Sequence, residues 1–211
     1  MDGMASGIGF PKFYPIVPDA AWVERIAPLG IGCVQLRIKD ASAGEIGSAI
    51  RASLAACRVY GCQLIVNDYW RQAIAEGADY VHLGQDDLQS ADLGAIRRAG
   101  VRLGVSTHDE AELARALDTA PDYIALGPVF PTTLKVMRFA PQGLDRVGAW
   151  KRRIGTIPLV AIGGITLERA GDVFAAGADS IAVVSDVVAS SDPEARIRAW
   201  LALAGKAGAR R

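Results

Sequence analysis

Eight short apolar runs recur along this chain, at residues 14–17, 33–37, 62–68, 80–84, 102–107, 123–129, 159–164 and 180–185, with longer helix-like stretches between them. Several runs are almost continuously apolar, the pattern of strands covered on both faces. In the intervening stretches Ile46, Ile50 and Leu54 recur every four residues and so share one helix face. Thr107 and Glu110 have capping-box spacing. Thr166 is placed to cap a helix carrying Leu167, Ala170, Val173 and Phe174, with Gly177 at its end. A short phrase also repeats. Residues 76–84 (EGADYVHLG) resemble 176–184 (AGADSIAVV) and 120–127 (APDYIALG), each reading as a helix end, a tight turn and a strand. Eight strand-then-helix units in 211 residues predict an α/β chain folded as one (β/α)8 TIM barrel, with its site at the C-terminal ends of the strands. An open doubly wound sheet is the alternative, but it has fewer units and a distinct nucleotide loop, and neither a Gly-x-Gly-x-x-Gly nor a P-loop pattern occurs.

One domain over 1–211 is expected, with 1–12 and 206–211 as loose ends. Lys plus Arg equals Asp plus Glu at 23 each, so no global field draws nucleic acid or anionic lipid, and any anion site must be local. The basic runs 151–153 and 210–211 read as a solvated helix face and a chain end. The three cysteines form no framework, which suits reduced thiols, and Cys33 and Cys62 open apolar runs as small core residues. His82 and His108 have no His/Cys cluster around them, so no zinc site is expected. No run approaches membrane-span length and no secretory signal is visible, which makes the cytoplasm the expected location. The expected partners are small molecules rather than nucleic acid or membrane, and a homo-oligomer is left open.

In such barrels the working residues lie just past the strand C-termini. Gln35, Arg37 and Lys39 fall at period two and should share a strand face; a diphosphate suits Arg and Lys there, and internal ion pairing to Asp68 or Glu45 is the alternative. Asp68 and Asp87 can hold Mg2+, which prefers oxygen ligands, or serve as turn carboxylates. The adjacent Asp86 reads as a turn residue. Gly163-Gly164 and Val184-Ser185 follow strands seven and eight, where barrels often bind phosphate through backbone N–H groups. His108 is either an acid/base group or a first-turn helix residue, and His82 reads as a satisfied buried side chain.

Together the segments 35–39 (QLRIK), 66–68 (VND), 82–87 (HLGQDD), 104–108 (GVSTH), 126–132 (LGPVFPT), 140–143 (APQG), 161–164 (AIGG) and 183–185 (VVS) resemble the thiamine-phosphate synthase family, in order, from about Tyr14 to the last helix. The resemblance implies a transferase that joins hydroxymethylpyrimidine diphosphate to a thiazole phosphate. Pyrophosphate leaves first, giving a pyrimidinylmethyl cation that the thiazole nitrogen attacks. It also implies that Gln35, Arg37, Lys39 and Asn67 contact the pyrimidine diphosphate, and that Ser106 and Lys135 face the same substrate. Arg37, Lys39, Lys135 and Ser106 are the residues implied in the chemistry, and Asp68 and Asp87 the ligands of Mg2+. Thr132, Thr133 and Leu134 would lie along the thiazole phosphate, with Gly164, Val184 and Ser185 at its phosphate end. Leu134 stands where many members carry Thr, just before Lys135. Two other readings stand beside this one. A sister barrel, the thiazole tautomerase, would use His108 and would not need a diphosphate–metal site, whereas a non-catalytic phosphate-ligand binder would bind without turnover.

Overall fold

The computed structural model describes residues 10–132 and 139–208. Strands β1 (Phe13–Val17), β2 (Cys33–Leu36), β3 (Gln63–Asn67), β4 (Tyr80–Leu83), β5 (Arg102–Thr107), β6 (Tyr123–Leu126), β7 (Leu159–Ile162) and β8 (Ser180–Val183) pair in chain order, and β8 closes onto β1. Every pairing is parallel. Around them run α1 (Ala20–Ile26), α2 (Ala43–Tyr60), α3 (Trp70–Glu76), α4 (Gln85–Ser90), α5 (Leu93–Arg98), α6 (Glu110–Asp118), α7 (Gly143–Ile154), α8 (Leu167–Ala175), α9 (Ser185–Val188) and α10 (Pro193–Gly208). The alternation read from the sequence is thus a closed (β/α)8 barrel. No described helix is long and apolar enough to cross a membrane.

Side chains on a strand alternate between the barrel interior and the helix layer. Tyr14, Ile16, Cys33, Ile65, Tyr80, Tyr123, Ala125, Val160 and Ala182 form the inner cluster, and the larger outer cluster packs against the helices. Tyr80 and Tyr123 are the first residues of their strands, and Phe10 lies against Tyr14, Tyr80 and Tyr123 at ring-centroid distances of 6.0, 6.3 and 4.9 Å. Aromatic rings therefore fill the N-terminal end of the barrel. The inward polar residues Gln35, Asn67, His82 and Ser106 come later in their strands, nearer the C-terminal end. This polarity of the interior decides which end can do chemistry.

The repeated turn phrase has a shared structural use. Asp122 accepts the backbone N–H of Leu103 at 2.7 Å, and Asp179 that of Leu159 at 3.0 Å, so each carboxylate splices the start of one strand to its neighbour. Asp79 instead accepts the side-chain amide of Gln63 at 2.7 Å and pairs with Arg102.

The capping expected from Thr107 and Glu110 lies two residues further on. Thr107 stays in β5, where its hydroxyl donates to the carbonyl of Ala125 at 2.9 Å and accepts Trp150 Nε1–H at 3.0 Å. Asp109 is the cap, accepting the N–H of Glu112 at 2.8 Å. Thr166 occupies its predicted cap position, but its hydroxyl bonds Glu168 rather than the helix backbone.

Candidate active site

β2 ends at Leu36, one residue earlier than its apolar run suggested, although Arg37 N–H still donates to the carbonyl of Val17 at 2.8 Å. Gln35 is buried on the strand and Arg37 is half-buried at its mouth, while Lys39 is exposed in the following connection. Strand period alone therefore does not place Lys39 on the face of Gln35. Among the described residues neither Arg37 nor Lys39 forms an ion pair, and Glu45 is committed to the Ser42 capping box. The internal salt bridges weighed from sequence are absent there, which leaves both cations available to a ligand.

Asn67 closes β3, and its side-chain amide donates to Asp68 at 2.5 Å. Asp68 adopts φ +65°, and its N–H donates to the carbonyl of His82 at 2.9 Å. This left-handed turn, tolerable for Asp, sets its carboxylate against Gly84 N–H at the start of α4 and against Asp87 in the first turn of that helix. Burial, then the charge and hydrogen bond of Asp87, push the Asp68 carboxyl up to about 6, only partly offset by Arg37 and the Gly84 N–H. The two carboxylates lie within hydrogen-bonding reach of each other, a hard-oxygen pair of the kind that suits a divalent cation. A cleft of about 240 Å³ beside them is lined by Asp68, Asp87 and the start of α3. Asp86 is exposed.

Along the barrel axis a buried chain runs upward. His82 Nδ1 lies 2.6 Å from Tyr123 Oη and His82 Nε2 lies 2.7 Å from Ser106 Oγ, while Tyr123 also bonds Tyr14. Burial, and secondarily the charge of Arg37, bring His82 down to about 4, so it is neutral at ordinary pH. His82 is the satisfied buried residue its apolar setting suggested. The chain exists because position 104 is glycine: a Cβ there would overlap the Tyr123 ring. Gly104→Ala should therefore lower stability by about 1–3 kcal/mol through overpacking, measured by urea unfolding; an unchanged midpoint would contradict the close fit. Gln85 supports Ser106 from outside, donating Nε2–H to its carbonyl at 2.7 Å.

The β6–α7 connection runs beside the end of β7. Val129 N–H donates to Ile162 carbonyl at 2.9 Å and Phe130 N–H to Gly163 carbonyl at 3.0 Å, which carries Thr132, half-buried, to the same rim as Gly164. Thr133, Leu134 and Lys135 lie outside the described residues. Gly163 and Gly164 have φ of +94° and +65°; a Cβ would meet Pro128 Cα at 2.6 Å in the first case and Phe130 Cβ at 2.9 Å, besides the Pro131 carbonyl, in the second. Arg169 Nη1 donates to the Gly164 carbonyl at 2.7 Å while its guanidinium lies over the Phe130 ring. Past β8, Val184 is half-buried and Ser185 exposed.

His108 precedes the cap of α6 rather than joining its first turn. Its ring bonds Glu112 at 2.7 Å and stacks on Phe139, with centroids 4.6 Å apart.

The family model described as thiamine monophosphate synthase matches residues 14–187, from β1 into α9. The chain belongs to the thiamine monophosphate synthase family. The thiamine-phosphate synthase of Rhizobium etli is 61% identical over 190 residues, covering 90% of this chain and 93% of that one. The one from Neisseria meningitidis serogroup A is 50% identical over 192 residues, covering 91% and 94%. Among solved structures, the thiamine phosphate pyrophosphorylase of Pyrococcus furiosus is 28% identical with a TM-score of 0.79, covering 93% of this chain and 96% of that one. These synthase-named relatives favour the synthase over the tautomerase and over a binder without turnover.

Gln85 and Gly104 fall inside the sequence segments that carry the resemblance, but their roles, and that of Tyr123 beneath the site, become visible only through the β5–β6 register and the placement of α4. Arg169 had one signal, a cation in the first turn of a helix that starts just after the glycine pair.

Proposed function

We infer that the chain is a thiamine-phosphate synthase, a transferase that couples hydroxymethylpyrimidine diphosphate to a thiazole phosphate and releases pyrophosphate. The observation that carries this reading at the level of residues is the Asp68–Asp87 pair, with Arg37 close enough to lower the Asp68 carboxyl, at the ends of β2 to β4. Asp68 and Asp87 would hold Mg2+, and the ion when bound would neutralise charge on the diphosphate. Gln35, Arg37, Lys39 and Asn67 bind that diphosphate, and the two cations stabilise the negative charge that accumulates as the C–O bond breaks and its electron pair leaves with pyrophosphate. Ser106, oriented by His82 and by Gln85, contacts the pyrimidine, as would Lys135. The thiazole nitrogen lone pair then forms the new C–N bond, so no protein nucleophile is required. By the family resemblance Thr132, Thr133 and Leu134 would line the thiazole side, and Gly164, Val184 and Ser185 would take its phosphate. Arg169, by donating to the Gly164 carbonyl, fixes the orientation of the peptide that follows the glycine pair.

Pyrophosphate should appear only when both substrates and Mg2+ are supplied, and excess chelator should stop it. Full turnover in chelator would discard the metal assignment. Where Asp68 is protonated, its proton must leave when a cation binds. Mg2+ should therefore raise the thermal midpoint more at about pH 7.5 than at about pH 5, on either side of the Asp68 value. A shift independent of pH would mean that the ion binds elsewhere.

A further inference from the structure

We propose that Arg196 and Trp200 of α10 are positioning residues for the phosphate end of the thiazole site, and that they act by neutralising Asp186. The proposal rests on the reading of that end given above. Asp186 directly follows Ser185 in the first turn of α9, so an uncompensated carboxylate there would stand one residue from the proposed phosphate position and repel a dianion. The side chain is instead drawn away. Arg196 donates Nε–H to Asp186 Oδ2 at 2.8 Å and Nη2–H to Oδ1 at 2.7 Å, and Trp200 donates Nε1–H to Oδ2 at 2.6 Å. Two parallel bonds from one guanidinium fix direction as well as charge, and the Asp186 side chain is left only 9% exposed.

The donors are themselves braced. Trp200 is fully buried and stacks on Phe13 of β1, with centroids 5.0 Å apart and planes 5° from parallel. Arg196 also lies 3.7 Å from Glu168 in the first turn of α8. The last helix thus reaches across two neighbouring units to hold one carboxylate beside the phosphate turn. A half-buried ion pair is weak as a stabilising device, because desolvation offsets much of its attraction. Its placement one residue past Ser185 has a clearer use in charge balance, since it cancels an acid that would otherwise weaken anion binding.

The test is steady-state kinetics of the full-length enzyme with each substrate varied separately. Arg196→Met should raise the KM for thiazole phosphate by roughly ten-fold and leave the KM for the pyrimidine diphosphate unchanged. Asp186→Asn added to Arg196→Met should restore most of the loss, because the uncompensated charge is gone. With the unphosphorylated thiazole alcohol as substrate, Arg196→Met and the parent should behave alike. Trp200→Phe keeps the ring on Phe13 and removes one donor, so it should act in the same direction but less, and it carries the test if Arg196→Met fails to fold. Equal rises in both KM values, a fall in kcat alone, or no rescue by Asp186→Asn would mean that α10 merely supports the fold, and would overturn the proposal. A parent enzyme that uses the phosphorylated and unphosphorylated thiazoles equally well would instead remove the phosphate reading itself.

Discussion

Asp87→Ala should lower kcat by on the order of 100-fold or more while leaving the barrel folded and, without metal, at least as stable as the parent. The two effects have opposite signs, and that opposition is diagnostic. Burial and the Asp87 carboxylate together raise Asp68 to about 6, so the folded chain is penalised where Asp68 must ionise. The sign follows from linkage: a carboxyl raised on folding binds more protons in the folded state, so stability falls as pH rises from its ordinary value through the raised one. Removing Asp87 deletes the charge and hydrogen-bond causes and leaves burial as the only raising cause, opposed by Arg37 and the Gly84 N–H. In chelator at about pH 7.5 the thermal midpoint should therefore hold or rise, and the gain should shrink as pH falls and vanish below the ordinary carboxylate value, where Asp68 is protonated whether folded or unfolded. If Asp87 were a turn carboxylate, its removal would reduce stability and spare turnover. Unchanged rates with a lower midpoint would settle the matter against a ligand role.

Gly164→Ala should be the most damaging single-methyl change at the other half of the rim. At φ +65° an added Cβ costs about 1–2 kcal/mol in backbone conformation alone. It would also strike the Pro131 carbonyl and Phe130 Cβ, and the former is backbone that cannot rotate aside. Conformation and overpacking together suggest a loss of about 2–5 kcal/mol. The stretch from Val129 to Phe130, which bonds the end of β7, must shift, and that displaces Thr132. Turnover at low thiazole phosphate should collapse, while calorimetric binding of the pyrimidine diphosphate, which the proposed site places on β2 to β4, should persist. Equal loss of both ligands would point to general unfolding.

The barrel was legible because each of its strands is short, apolar and followed by a helical period, and that signal is local. The candidate site was legible where a strand exit carries its own chemistry, as at Arg37 and at Asn67-Asp68. It was less legible where geometry comes from elsewhere in the chain. Lys39 looked like a strand residue because period two was continued past Leu36, where the ladder had already ended. The α6 cap was misplaced because Thr107 has two partners, Ala125 and Trp150, that are distant in sequence. Nothing near Ser185 in the chain announces that Asp186 is satisfied by Arg196 and Trp200, ten and fourteen residues further on. The repeated turn phrase ending in Asp pointed to repeated units, but the splicing of strand starts by Asp122 and Asp179 needed the register.

The stopper of Phe10, Tyr14, Tyr80 and Tyr123 has a consequence for traffic. Among the described residues, rings cork the N-terminal end of the axis, which leaves the C-terminal rim as the doorway for whatever enters and departs. On the proposed reading two substrates share that doorway with two products. The molecule seated beside β2 to β4 and the one seated beside β6 to β8 are then neighbours at one threshold, and whichever product lingers there delays the next arrival on both sides.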